Sequence, residues 1–448
     1  MASGQVDFSN GDVRRNVLAV AAPMLVAQIV NLLYNIIDRI YIGKIPGEGI
    51  IALAGLGLCF PVITMVTAFA NLFGLGGAPL CSIARGQKDT EGAEKVMNNA
   101  FFMLVLTGIL LTVFGIVFHK PILYLFGASD ATYPYAASYM NVYLLGTVFV
   151  MISLGMNPYI TSQGFAKVGM KTVTLGAISN LILDPIFIFG LNMGVTGAAV
   201  ATIISQFFSA IWVLRFLTGK KAELKLKLKN FKLDMDCIWK IVKLGSSTFV
   251  MSFTNGLVQI VCNSTLNIYG GDIYISAMTV INSIREIAET PVVAITNGSS
   301  PVISYNYGAE RYTLMKKAVR FMTQICLVYT LLIWGGISLF PEMFIRIFNQ
   351  DAALLEVAVP SLHIYFFGFI MMTFQHTGQC VFKALNKAKQ AVFFSIFRKA
   401  IIVVPLTILL PKIPALGVAG VFMAEPISNF IGGLACYITM QKTVLKKL

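Results

Sequence analysis

Apolar residues in this chain come in long, nearly unbroken runs, without the three-to-four-residue rhythm of a soluble amphipathic helix. Twelve runs approach or exceed the ~20 residues that a helix needs to cross ~30 Å of hydrocarbon. They predict membrane helices over about 17–43, 50–78, 96–118, 135–163, 172–190, 194–217, 239–269, 274–303, 318–340, 360–382, 391–411 and 415–440. Pro23, Pro61, Pro158, Pro185, Pro291, Pro405 and Pro426 fall inside these runs. They would break soluble helices but are tolerated in a bundle whose neighbours satisfy the freed backbone groups. The longest polar stretch, roughly 218–238, carries Lys220, Lys221, Lys225, Lys227, Lys229 and Lys232. Its leucine–lysine alternation over 224–229 fits an amphipathic strand or interfacial segment, and the expected role is a solvated basic linker lying on anionic headgroups. It divides the chain into six-helix lobes at 1–217 and 239–448, with 218–238 as cytoplasmic linker.

The two lobes repeat. Pro79, Ser82, Gly86, Phe118 and Phe126 recur as Pro301, Ser304, Gly308, Phe340 and Phe348, each at an offset of 222. Gly194-Val195-Thr196-Gly197 recurs as Gly417-Val418-Ala419-Gly420 at an offset of 223. Ala201, Ile204 and Ser205 match Ala424, Ile427 and Ser428 at that same offset. A near-constant offset over several helices marks an internal duplication. An even number of spans per lobe makes the repeats parallel, related by an axis along the membrane normal. The fold class is therefore an all-α integral membrane protein of twelve helices in two pseudo-two-fold lobes.

Composition agrees: 57% of the 448 residues are hydrophobic and 12% charged, against about a quarter charged in soluble domains. The formal charge of +14 is no signal for nucleic acid, because the basic residues sit between the apolar runs. With a cytoplasmic N-terminus, 26 of the 34 Lys and Arg fall on inner flanks. Lys44, Lys120, Arg346 and Lys412 fall in outer loops, and Arg39, Arg285, Arg398 and Lys399 lie within spans. This positive-inside bias puts both termini in the cytoplasm. The seven cysteines form no CxxC and read as small apolar packers. Residues 1–15 carry no apolar signal core, so no cleavable leader is expected.

Ionisable groups within spans are expensive and mark function by default. Asp184 lies on helix five, 13 residues beyond Lys171 or ~20 Å along the axis, with Asn180 one turn earlier on the same face. Pro185 cannot donate to the carbonyl of Leu181. Carboxylate, amide and freed carbonyl make an all-oxygen set suited to Na⁺, and the carboxylate alone suits H⁺. Asn157 and Thr202 fall at similar depth. Asp38 lies in the outer half of helix one, followed by Arg39, which offers a neutralised pair as the plainer alternative. Helix eight carries Arg285, Glu286 and Glu289. The first and last can pair at i,i+4, leaving Glu286 to attract a cationic substrate. Gln375, His376, Gln379, Arg398 and Glu425 are further polar residues in spans, and of these Gln375 and His376 join Glu286 and Glu289 as candidates for the substrate cavity. Residues 164–172 come close to a P-loop, but Met170 occupies the lysine position, and no loop has room for a nucleotide domain.

At these motifs the chain resembles prokaryotic members of the multidrug and toxic compound extrusion family. The resemblance is carried by Ala22-Pro23-Met24, the helix-one run from Asn35 through Asp38 to Gly43, and Ala84-Arg85-Gly86. It continues in Asn180-Leu181-Ile182-Leu183-Asp184-Pro185, the Gly194–Ala199 segment and Pro301 through Ala309. It implies a two-lobed exporter that exchanges organic cations for Na⁺ or H⁺ by alternating access. It also implies a coupling site at Asp38, Asn157, Asn180, Asp184 and Thr202, with Na⁺ held at Asp38, Asn180 and Asp184. Another branch of the family places coupling acids on helices seven and ten. Helix seven here has none, and helix ten offers Gln375, His376 and Gln379, which favours coupling in the N-terminal lobe. No cofactor beyond the coupling ion is expected. The expected partners are small organic cations and membrane lipids, and the protein is expected to be a monomer. The rival readings are a flippase for lipid-linked oligosaccharides, which would want a strongly cationic cavity, and a membrane-embedded enzyme, which would want acidic or histidine motifs on its loops.

Overall fold

The computed structural model describes residues 4–9, 11–227, 233–348 and 350–447; the linker lysines Lys229 and Lys232 lie outside these. Every regular element among the described residues is helical. The first six spans are α1 (Val13–Gly43), α2 (Gly49–Gly86), α3 (Thr90–Leu125), α4 (Tyr133–Leu145 with Thr147–Ser162), α5 (Ala166–Gly190) and α6 (Gly194–Leu217). The second six are α7 (Met235–Tyr269), α8 (Asp272–Gly308), α9 (Tyr312–Leu339), α10 (Ala352–Phe366 with Phe369–Ala384), α11 (Ala388–Lys412) and α12 (Ala419–Leu445). A short helix, Pro341–Arg346, precedes α10. Eight of the spans are long and apolar enough singly to cross a membrane, and two more qualify as bent pairs. The remaining two, α7 and α8, are diluted by polar residues such as Asn255, Asn263, Arg285 and Glu289. Exposed Ile109, Leu110, Val113, Phe114, Val117 and Phe118 form a continuous stripe along α3, a surface that only lipid can solvate.

The chain forms two compact units, one of residues 1–8 and 22–245, the other of residues 9–21 and 246–448. Helix α1 thus changes unit beside Pro23, and α7 changes unit after Gly245, the position that corresponds to Pro23 in the repeat.

The backbone repeats at the offsets seen in the sequence. Lys88 and Glu310 are both left-handed, with φ of 61° and 58°, as are Gly164 and Asn386 at 87° and 56°. Span α4 bends by 58° and α10 by 45°. The breaks come at Gly146 and Gly368, again at equivalent positions of the repeat. A Cβ on Gly146 would meet the Ile203 side chain at 2.4 Å, and one on Gly368 would meet the Pro426 backbone at 2.7 Å. Ile203 and Pro426 are themselves repeat-related. Each half therefore breaks its fourth helix where the sixth packs too closely for a side chain. Hydropathy shows neither break, because the apolar run continues through it.

Over its described residues 222–227 the basic linker packs its apolar side chains on the first unit and leaves its charged ones exposed. Ala222, Leu224 and Leu226 are buried while Glu223, Lys225 and Lys227 are exposed, the two-residue alternation of an extended chain. Its amides are held by side chains of the first unit. Leu224 donates to Gln163 Oε1 (2.9 Å), Lys225 to Glu94 Oε1 (3.0 Å), Lys227 to Asn98 Oδ1 (2.8 Å) and Asp234 to Asn99 Oδ1 (3.0 Å). Ion pairs Arg85–Glu223, Lys95–Asp234 and Lys227–Glu94 add to the hold. The Lys95 ammonium and the Cys237 amide hold the Asp234 carboxyl below its usual range. Helix α7 begins at Met235, inside the expected linker.

Candidate functional site

Helix α5 delivers two of the expected residues to the interior of the first unit. Asn180 and Asp184 are one turn apart and buried, with Asp184 fully so. Pro185 has no N–H for Leu181, and the helix widens into a π-turn over Ile186–Gly190 directly after it. Helix α1 brings Asp38, which is 8% exposed, and its carboxyl lies within hydrogen-bonding reach of Asp184. Helix α6 adds buried Thr202, whose hydroxyl accepts from Asn180 Nδ2 at 3.3 Å. Four of the five predicted residues are therefore in one place.

Five acceptor oxygens of the predicted site have no donor among the described residues. Asp38 Oδ1, both oxygens of Asp184, Asn180 Oδ1 and Asn157 Oδ1 are buried with no hydrogen-bond partner among the described residues. Orphaned buried acceptors are rare and each calls for an explanation. Arg39 does not supply it: the residue is exposed and its guanidinium stacks over the Phe60 ring at 4.6 Å. No ion pair joins either aspartate to a basic group among the described residues. Two carboxylates in contact, if both ionised, repel by roughly 4 kcal/mol at an effective dielectric of 20.

Asn157 stands apart from this core. Its amide donates to Gly169 O at 3.3 Å. At the repeat-related position, Gln379 donates to Ala391 O at 3.2 Å, so that donor and acceptor are both shifted by the same offset. The Asn157 amide thus makes a tie between the fourth and fifth helices that both halves possess, while its oxygen stays unpartnered.

The sequence reading passed over two tyrosines. Tyr34, one turn before Asp38 on α1, and buried Tyr139 on α4 both bring hydroxyls to Thr202 and lie within the field of Asp38. The i,i+4 spacing of Tyr34 and Asp38 is the signal that was available.

The second unit is polar in a different manner. Glu289 Oε2 accepts from Arg285 Nη1 at 3.0 Å, and its Oε1 lies 3.0 Å from His376 Nε2. Gln375, next to His376, donates to Phe394 O at 3.3 Å, and Glu286 is exposed. Deeper in, Glu425 accepts from Arg398 at 2.9 Å and from Lys399 at 2.9 and 3.1 Å, and Arg398 also donates to Asn429 Oδ1 at 2.6 Å. Lys399, which the sequence showed only as a charge within a span, is 4% exposed. Among the described residues no group of three His, Cys, Asp or Glu is set to hold a metal ion.

Known proteins agree with this architecture. The MatE family pattern matches residues 23–186 and again 248–409, one match in each half. The multidrug export protein MepA of Staphylococcus haemolyticus is 23% identical over 443 residues, covering 98% of this chain and 97% of its own. MepA of Staphylococcus aureus strain NCTC 8325 is 23% identical over 433 residues, covering 96% and 94%. A solved outward-facing multidrug resistance MATE transporter of the MOP superfamily superposes with a TM-score of 0.92 at 22% identity, with full coverage of both chains. A second structure, a MATE protein in a bent conformation, gives 0.93 at 22% identity, covering 100% of this chain and 99% of that one. With a twelve-helix duplicated fold and a family match spanning most of both halves, this chain belongs to the MatE family of membrane transporters.

Proposed function

We propose that the protein is a secondary exporter of small organic cations, driven by Na⁺ or H⁺ entering at Asp38 and Asp184. The observation that carries this reading is the set of buried, unpartnered oxygens around two adjacent carboxylates. A cation that binds there satisfies the acceptors and removes the repulsion, so the loaded and empty forms differ in energy. A difference of order 1–3 kcal/mol between conformations is enough to couple ion binding to alternating access. The flexible element is α1, which carries Asp38. Pro23 leaves the Ala19 carbonyl without its helical donor, and α1 changes unit between Ala21 and Ala22. Loading Asp38 and Asp184 draws α1 toward α5 and bends it at Pro23, so that substrate is released to the outside. The multidrug export described for the MepA relatives is consistent with this role, as is residence in a prokaryotic plasma membrane with both termini cytoplasmic.

The test is exchange in proteoliposomes loaded with a fluorescent organic cation, with Na⁺ and pH gradients imposed separately. Asp184→Asn and Asp38→Asn are expected to abolish gradient-driven movement. Undiminished, gradient-dependent efflux by both variants would remove the proposal.

A further inference from the structure

Spans α5 and α6 pack along a seam of small residues in the first unit. Ser209 Oγ donates to Thr172 O at 3.1 Å, and a Cβ on Gly176 would meet Ser209 Oγ at 2.6 Å. The Phe165 and Phe216 rings stand edge to face at 5.0 Å. Lys167 lies five residues before Thr172, and Arg215 lies six residues after Ser209. The two helices run in opposite directions, so both charges stand about 8–9 Å beyond the Thr172–Ser209 bond, toward the same end. Lys171 is one turn along α5 from Lys167, and all three side chains are exposed.

None of the three forms an ion pair or a side-chain hydrogen bond among the described residues. Arg85, Lys95 and Lys227 of the same unit each hold an acid. The acids closest along the chain are occupied or out of reach: Glu223 accepts from Arg85 and Gln5, and Asp184 is buried in the interior. The charged patch continues into an apolar surface. Leu175 and Ile178 extend the exposed stripe of Lys167 and Lys171 along α5, and Ile211 and Trp212 extend that of Arg215 along α6. Such a surface takes acyl chains as its solvent, and tryptophan gathers at headgroup level. The duplicated scaffold does not require the charges. At an offset of 222 Lys171 becomes Phe393, and at 223 Arg215 becomes Ile438.

We infer that this end of α5 and α6 binds an anionic phospholipid, with Lys167, Lys171 and Arg215 on its phosphate and its acyl chains along the two exposed stripes. Charge complementarity favours a headgroup of net negative charge, because the choline of a zwitterionic lipid offsets its own phosphate. Ammonium and guanidinium groups supply charge-assisted N–H donors to phosphate oxygens. The apolar stripes beside them fit a lipid and offer nothing to a soluble phosphate ester. The lipid braces α5, whose opposite, buried face carries Asn180 and Asp184. In the proposed topology this is the cytoplasmic leaflet, and that placement alone rests on the export reading. Binding itself needs no gradient and is measured independently of transport.

The experiment is native mass spectrometry of the purified full-length protein in neutral detergent, with dioleoyl phosphatidylglycerol competed against dioleoyl phosphatidylcholine. The preference for the anionic lipid is expected to fall about fivefold in Lys171→Gln and at least about tenfold in Lys167→Gln/Lys171→Gln/Arg215→Gln. Arg215→Lys keeps the charge and is expected to keep most of the preference. Lys316→Gln/Lys317→Gln/Arg320→Gln removes the same charge from α9 and is expected to leave the preference unchanged. Should the α5–α6 triple variant be too unstable to purify, Lys171→Gln and Arg215→Lys carry the test. No preference in the wild type, or one that survives in Lys171→Gln and the triple variant, would overturn the inference. An equal fall in the α9 variant would overturn it as well, since that outcome marks a general surface potential. Displacement of the lipid by glycerol phosphate at equal concentration would contradict the acyl contacts and with them the lipid assignment. If transport fails in every gradient while lipid preference follows Lys171, the export proposal falls and the lipid site stands.

Discussion

The two halves share one scaffold and oppose each other in charge. Gly146 and Gly368 break the fourth helix of each half, and Asn157 and Gln379 tie the fourth to the fifth. At an offset of 222, however, Asp38 corresponds to Ile260, and at the later offset of 223 Asp184 falls on Thr407 and Thr202 on Glu425. The first unit thus concentrates two carboxylates with no resident cation. The second places Glu289 and Glu425 among arginine and lysine until both are paired. A duplicated fold keeps its packing residues because backbones must still meet, and diverges where side chains carry charge. The first half's carboxylates lack a basic partner among the described residues, and the proposed ion site rests on that difference.

The largest effects that would break this contrast are on coupling. Asp38→Asn and Asp184→Asn are expected to bring gradient-driven exchange to background in proteoliposomes, whereas Thr407→Val at the equivalent site of the second unit leaves it intact. Equal losses would show that the two sites work alike. Next come opposite signs in stability. Glu425→Gln strands two buried cations and is expected to cost about 3–5 kcal/mol, read as a lowered melting temperature in detergent. Asp184→Asn removes a buried like-charge contact and is expected to raise it. If both variants shift in the same direction, the contrast between incomplete and paired sites is wrong.

Smaller effects sharpen the packing side of the comparison. Gly368→Ala presses on the Pro426 backbone, which cannot rotate away, and is expected to cost about 1–3 kcal/mol. Gly146→Ala meets only the Ile203 side chain, which can change rotamer, and its melting temperature should fall less. Smallest is the linker. Asp234 has a depressed carboxyl pKa, so its contribution is present at neutral pH and is lost as pH falls through the lowered value. Asp234→Asn is expected to lower the melting temperature slightly at pH 7, with the difference from wild type vanishing in acid.

Much of this was legible before any coordinates. Long apolar runs give the spans because a membrane helix must be apolar over its whole crossing, and the near-constant offset between the halves gives the duplication. Asp184 and Asn180 declared themselves by spacing, since i,i+4 on a helix is a fixed geometry. That Asp38 would meet Asp184 depends on how α1 packs against α5, and for that the sequence reading leaned on family resemblance. Other features needed the fold. The docked linker shows as alternation at Leu224 and Leu226, but its partners Gln163, Glu94, Asn98 and Asn99 lie on other helices, far away along the chain. Lys399 looked like one more charge in a span, because its pairing with Glu425 joins two separate helices.

The most direct test is a count of cations taken up by the purified protein. Na⁺ titration calorimetry, run beside proton release monitored with a pH dye, should show uptake by wild type and by Thr407→Val. The Asp38→Asn/Asp184→Asn double variant should show none. Unchanged Na⁺ binding and proton release in that double variant would contradict the assignment of the ion site to these two carboxylates.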